Sequence, residues 1–429
     1  MMLLESNKDI QNYLNTMKSE WLAASNYFPD FLSEISKETK TRNEQYIQTI
    51  SNDFQKQLKG FSRIPIGHKK RKQKMINLLT DVICNETIIG IHYCMDQKTL
   101  EAFQEELKEF LRHVRKFAPE LSFDDVGQAL RNYIVYVMFK EIKQIKSGFS
   151  MAGFGYSMLY PFTDNYIDSI NYSDKEKTEY NKIIRDKIEG KEVHPKSMHQ
   201  RKTCELLQAI ESEYPRDNDS TVFTLLLMML EAQENSIRQQ YKMNWQANSL
   251  VMKKDLPLTA GERLDISLYK GGISVLIDRF FVQKEITEDE WIFYLGLGFF
   301  LQLADDLQDI KNDSMQGNQT IFTVDLHHGQ EKKIVNKMLH FVHHIMDAYQ
   351  AENDIFKNFI LSNCYQLIYS SAIGSKEFFS KDYLDELEKY LPVTYPFLEN
   401  TKKNLIENKD TKIQDRYMKI LDDIILHSI

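Results

Sequence analysis

The chain has 429 residues and a formal net charge of −8, and its lysines and arginines are scattered. That distribution leaves no basic footprint of a nucleic-acid binder. Four cysteines, Cys84, Cys94, Cys204 and Cys364, stand far apart with no CxxC pair, which indicates neither a zinc site nor a disulfide framework. No run approaches the roughly 18 apolar residues of a membrane span, and MMLLESNKDIQNYL lacks a basic region ahead of an apolar core. The expectation is a soluble protein of a reducing cytoplasm. Only 16 Gly and 9 Pro, with few alternating β-branched runs, predict an all-α fold.

Residues 1–60 are polar and charged with scattered aromatics (Trp21, Tyr27, Phe28, Phe31) and read as an N-terminal helical extension. The loop 62–74, with Pro65, Gly67 and the basic run KKRKQK, separates it from a main helical domain over 75–429. The basic run reads as a solvated turn. Apolar residues at 3-4 spacing predict helices over Met75 to Asp96, Leu100 to Phe117 and Phe123 to Lys146. Asp124 and Asp125 fall in a first turn, where acids favour the helix dipole.

After a Gly-containing break at 147–155, the stretch Tyr156 to Tyr172 predicts another helix. Asp164, Asp168 and Asn171, spaced i, i+4, i+7, share one face of it, with Thr163 a candidate N-cap. Leu225 to Tyr241 carries Glu231, Glu234 and Arg238 out of an apolar run. Glu234 and Arg238 are spaced for a surface ion pair, and Arg238 is also a candidate contact for a phosphate. Lys270-Gly271-Gly272 interrupts a helical pattern at about 1 kcal/mol per glycine, which suggests close backbone approach or a freed helix N-terminus facing a phosphate. A plain interhelical turn is the alternative.

Phe299 to Asp313, FFLQLADDLQDIKND, turns an apolar lead-in into a row of carboxylates. On a helix, Gln302, Asp305, Asp306, Asp309 and Asp313 fall within an arc of about 100°, where like charges repel. Mg2+ held by the carboxylates and by substrate phosphates would resolve that repulsion. Lys311 belongs on the opposite face. The following segment, Gly317 to Thr323, is expected to leave the site as a loop able to order over bound phosphate. Two further clusters read as structural: Asp382, Asp385 and Glu386 open an amphipathic helix, and His340, His343, His344 and Asp347 lack a second ligand-bearing element for zinc.

Gln302-Leu-Ala-Asp305-Asp306-Leu-Gln-Asp309 resembles the QxxDDxxD second aspartate motif of the isoprenoid synthase superfamily, in particular trans-prenyl diphosphate synthases and bacterial class I terpene synthases. Asp164 lies 141 residues before Asp305 (305 minus 164), about where that family carries its first aspartate motif. Tyr269-Lys270-Gly271-Gly272-Ile273-Ser274 resembles the segment that supplies a diphosphate-binding lysine. The resemblance covers Tyr133 to the C-terminus. It implies a helical bundle around a central cavity, with a cluster of three Mg2+ ions held by Asp164, Asp168, Asp305, Asp306, Asp309 and Asp313. It also implies diphosphate contacts from Lys270, Gln302 and Arg238. The first motif, DNYID, has one acid fewer than DDxxD and is closer to those of large bacterial terpene synthases. No arginine pair follows it, which favours a terpene synthase working on one linear prenyl diphosphate. The alternatives are a prenyl diphosphate synthase using isopentenyl diphosphate and a non-catalytic helical partner. Relatives of this kind commonly form homodimers.

Overall fold

The computed structural model describes residues 7–59, 70, 73–75, 77–78, 82, 88–169, 172–239, 257–324 and 329–407. The helix expected over Met75 to Asp96 is described in part: residues 75, 77–78 and 82 are helical, but 88–90 are not and Ile91–Tyr93 form a single 3-10 turn, so the helix does not run to Asp96. Half of the basic run before it lies outside the described residues. So does Asn171.

Among the described residues the regular elements are all helical. They are α1 (Asn7–Ala23), α2 (Lys37–Lys59), α3 (Gln97–Phe117), α4 (Phe123–Ile142), α5 (Met151–Asp168), α6 (Asp174–Ile188), α7 (Met198–Glu213), α8 (Ser220–Ser236), α9 (Ala260–Val282), α10 (Glu288–Gln308), α11 (Ile310–Gln316), α12 (Gln330–Ala348), α13 (Asp354–Gly374), α14 (Lys381–Glu388) and α15 (Tyr395–Glu407). Reciprocal capping boxes start four of them: Ser173 with Glu176, Ser197 with Gln200, Thr259 with Glu262, and Thr287 with Glu290. Each satisfies two amide donors that the first turn leaves bare.

The chain forms two compact units. The first comprises Met1–Asp30, Arg131–Lys146 and Ser150–Leu384. Its core is the pair α9 and α10, whose residues are buried on nearly every side. Phe293, Tyr294, Phe299, Phe300 and Leu303 are sealed from solvent, and side chains of this size contribute about 1.5–3 kcal/mol each when buried. Helix α1 lies along α10. Tyr13 stacks on Trp291 with ring centroids 5.6 Å apart, and Trp21 meets Phe299 edge-on at 5.3 Å. The second unit comprises Phe31–Leu130, Ser147–Phe149 and Asp385–Ile429. There the apolar face of α3 buries Leu100, Phe103, Phe110 and Val114. The residues around α2 are tied to the segment after α14 by Ile35 N–H to Lys389 O (2.9 Å) and Asn43 Nδ2 to Pro392 O (2.9 Å).

Sequence expectations change in detail at several points. Helix α5 begins at Met151 rather than Tyr156, because Ser150 caps it and Glu213 accepts hydrogen bonds from Ser150 Oγ (2.7 Å) and Met151 N–H (2.7 Å). Thr163 is therefore inside the helix, where its hydroxyl donates to Leu159 O at 2.9 Å, and is not its cap. Lys270-Gly271-Gly272 does not interrupt α9, which runs unbroken through it. The acidic stretch does break: Asp309 adopts φ −97°, ψ 5°, and α11 resumes at Ile310, which is buried. Gly317 then closes α11 at φ 76°, a left-handed conformation that glycine adopts without steric cost.

Candidate functional site

The site is organised by one helix crossing in the first unit. A Cβ at Gly271 would lie 2.3 Å from Gly298 O and 2.8 Å from Gln302 Cβ, and one at Gly298 would lie 2.1 Å from Gly271 O. The backbones of α9 and α10 therefore touch there, and close approach is what the glycines supply. One consequence is positional. Lys270, the residue before the contact on α9, is held opposite the turn of α10 that carries Gln302, Asp305 and Asp306.

Asp164 enters from α5 and is 6% exposed. Its Oδ1 accepts from Gln233 Nε2 of α8 and, at 3.2 Å, from Thr163 Oγ1. Its Oδ2 lies 3.7 Å from Lys270 Nζ. Burial raises the carboxyls of Asp305, Asp306 and Asp313, and the Lys270 charge is one of the weaker effects opposing that rise in each, so its charge is felt by both aspartate groups. Asp168 stands one turn beyond Asp164 at the end of α5; its side chain lies outside the described residues.

The second group is short of positive charge. Asp306, 6% exposed, accepts from Gln302 Nε2 at 2.9 Å and from Ser267 Oγ at 3.2 Å. Burial nevertheless pushes its pKa up to about 7, aided by the charges of Asp305 and Asp313 and opposed by the Gln302 hydrogen bond. Asp313 is likewise raised to about 6 by burial and by Asp309 and Asp305, despite Asn318 Nδ2 donating to it at 2.8 Å. Asp305 reaches solvent but is surrounded by protein on its other sides. That desolvation, with the Asp309 charge, raises its pKa, and Lys270 and Arg131 lower it. Although α10 ends before Asp309, these mutual effects keep Asp305, Asp309 and Asp313 one electrostatic group.

The donor chemistry fits a hard divalent cation. All the carboxylates supply oxygen, and Mg2+ typically takes one or two of them while keeping waters and substrate phosphates. Among the described residues no three His, Cys, Asp or Glu side chains converge on one point that a metal ion could fill, so the protein does not by itself close a coordination sphere.

Beside Asp164 lies a pocket of about 50 Å³ with apolar walls, including Leu159, Tyr160, Ile184, Leu226 and Met229. Tyr156, Ser274 and Gln233 add polar atoms to its lining. That volume holds one or two waters at roughly 30 Å³ each, so a hydrocarbon chain requires the walls to part.

Arg238 is placed apart from this arrangement. It ends α8 in a single 3-10 turn and pairs with Glu262 at 2.6 Å, lining a separate groove of about 450 Å³. The expected pair with Glu234 is not made, because Arg185 of α6 takes Glu234 at 2.8 Å. Lys311 pairs with Glu377 at 3.2 Å, and His343 meets Tyr365 Oη at 2.7 Å. Sequence reasoning missed Gln233, Ser267 and Arg131. None belongs to an acidic motif, and the partners of Gln233 and Ser267 are 69 and 39 residues away.

No known protein family matches this chain, and no curated protein matches it.

Proposed function

We propose that the chain is a Mg2+-dependent class I terpene synthase that ionises a linear prenyl diphosphate. The observation that carries this reading is Lys270, paired with Asp164 on one side and acting on Asp305, Asp306 and Asp313 on the other. An isolated group of buried carboxylates is costly. Here the cost is incurred beside a lysine and an apolar pocket, which is what gripping an anionic head and a hydrocarbon tail requires.

Bound Mg2+, held by Asp164, Asp168, Asp305, Asp306, Asp309 and Asp313, would supply the charge that stabilises a departing diphosphate. Lys270 adds a point charge to the same oxygens. Gln302 holds Asp306 in place. Gln233 fixes the rotamer of Asp164, so that carboxylate does not reorganise when substrate arrives. The apolar walls keep bulk water from the carbocation, and the rings of Tyr156 and Tyr160 offer π-faces to it.

The test is to incubate the protein and Mg2+ with geranyl, farnesyl, geranylgeranyl and longer prenyl diphosphates, each with and without isopentenyl diphosphate. Diphosphate release and an organic product from a single prenyl diphosphate are expected, and Asp305→Asn should slow release by about 10²–10³-fold. Longer diphosphates appearing only with isopentenyl diphosphate would instead identify a chain-elongating enzyme. Full activity in Asp305→Asn would remove the metal assignment.

A further inference from the structure

The residues after α11 are tied down from several directions. Asn318 N–H donates to Asp313 O at 2.9 Å, and Asn318 Nδ2 donates to Asp313 Oδ1 at 2.8 Å. Thr323 Oγ1 accepts from Thr320 N–H at 2.8 Å and donates to Asn318 O at 2.5 Å, and Phe322 between them is buried. Gln319 sits inside this turn, 9% exposed, and reaches two segments remote in sequence. Its N–H donates to Gln239 O at 2.8 Å, and its Oε1 accepts from Leu258 N–H at 2.8 Å. Gln239 ends the 3-10 turn that follows α8, and Leu258 precedes Thr259, the N-cap of α9. The Leu258 amide is a buried donor outside any helix, and removing its acceptor would leave it bare at a cost.

Those two bonds join the ends of helices that carry the site. Helix α8 presents Gln233 to Asp164, α9 presents Lys270 to Asp164 and Ser267 to Asp306, and α11 carries Asp313. Gln319 follows directly on Asn318, which holds Asp313, so the Asp313 carboxylate is linked to both α8 and α9 through adjacent residues. We infer that Gln319 is a positioning residue: it fixes α8 and α9 against α11, so that a cation and a diphosphate are gripped from the Asp164 side and the Asp313 side at once. The inference rests on the functional reading above. Gln319 acts through the helices it joins and not by holding a ligand. A complex gripped at two places is sensitive to their spacing, because the second contact forms only as readily as the two are prearranged. Either ligand alone needs just one of them.

Thermal unfolding of the full chain with Mg2+, with inorganic diphosphate and with both tests this in the wild type, Gln319→Met and Gln319→Glu. Methionine is of similar length and removes the acceptor for Leu258 N–H, whereas glutamate keeps it. The stabilisation that the two ligands together add beyond either alone should fall by at least about half in Gln319→Met and return in Gln319→Glu. The shift with Mg2+ alone is retained in both. Diphosphate release from the prenyl diphosphate panel should slow about tenfold in Gln319→Met. Should the methionine variant not fold, hydrogen exchange of the wild type reads the same link: the Leu258 amide should exchange more slowly when Mg2+ and diphosphate are both present. The full added stabilisation in Gln319→Met, an equal loss in Gln319→Met and Gln319→Glu, or Leu258 exchange indifferent to the two ligands overturns the inference and leaves the functional reading standing. A wild type that gains nothing from the two ligands together overturns the functional reading and the inference with it.

Discussion

Helices α9 and α10 carry buried charge at both ends and treat it in opposite ways. At one end Arg279, 0% exposed, donates to Glu290 Oε1 from Nε (3.1 Å) and Nη2 (2.6 Å), and Lys143 Nζ approaches the same oxygen at 2.9 Å. The remaining guanidinium bonds go to Gln283 O and Glu285 O. Burial opposes ionisation of Glu290, yet Lys143, the Thr287 N–H and Arg279 together hold its pKa below the usual value. At the other end burial prevails over Lys270 and Gln302, and Asp306 and Asp313 are raised. A satisfied buried ion network fixes the fold. An unsatisfied one lacks cations and is where a ligand has most to offer.

Breaking the satisfied end has the largest expected effect on stability. Glu290→Ala leaves Arg279 and Lys143 without their carboxylate and should cost about 3–5 kcal/mol, measured by denaturant unfolding. A loss under about 1 kcal/mol would mean that the network contributes far less than its geometry implies. Next comes the crossing between the two ends. Gly271→Ala puts a Cβ against backbone rather than a flexible side chain, so α9 and α10 must separate. A cost of about 1–3 kcal/mol is expected, with a larger proportional loss of diphosphate release because Lys270 moves with the backbone. Unchanged stability and turnover would show that the crossing adjusts freely.

The smallest of these effects separates the two ends by sign. Asp306 and Asp313 are raised from 3.8 to about 7 and about 6. The folded state therefore holds protons that the unfolded chain has released, and this stability is lost as pH rises from about 4 to 7. Glu290, with its pKa lowered, contributes the reverse, losing stability as pH falls. Without divalent cation, the unfolding temperature of Asp306→Asn should fall less than that of the wild type between pH 5 and 7.5. Parallel curves would refute the raised carboxylate.

Much of this was visible in the residues, and what escaped has a physical cause. The acids of α10 could be read because their i, i+3, i+4 spacing follows an apolar run, and the paired glycines indicated close approach before a partner helix was known. The break at Asp309 could not be read from that periodicity, because no glycine or proline marks it and the apolar spacing Leu303, Leu307, Ile310 continues through it. The start of α5 moved to Met151 because Glu213, from a different helix, satisfies its first amides. Arg238 and Glu234 had the spacing of a pair, but Glu262 and Arg185 offered each a better-placed partner. Gln233 and Arg131 carry no local signal, since each acts on a carboxylate that only folding brings near.

Everything proposed for the site depends on the acidic end binding a cation and an anion together. Thermal unfolding of the wild type and Asp306→Asn at pH 7.5, with Mg2+, with inorganic diphosphate, and with both, tests this most directly. Stabilisation well beyond either ligand alone is predicted for the wild type with both, and little of it for Asp306→Asn. The same shift in both proteins, or none in the wild type, would contradict the assignment.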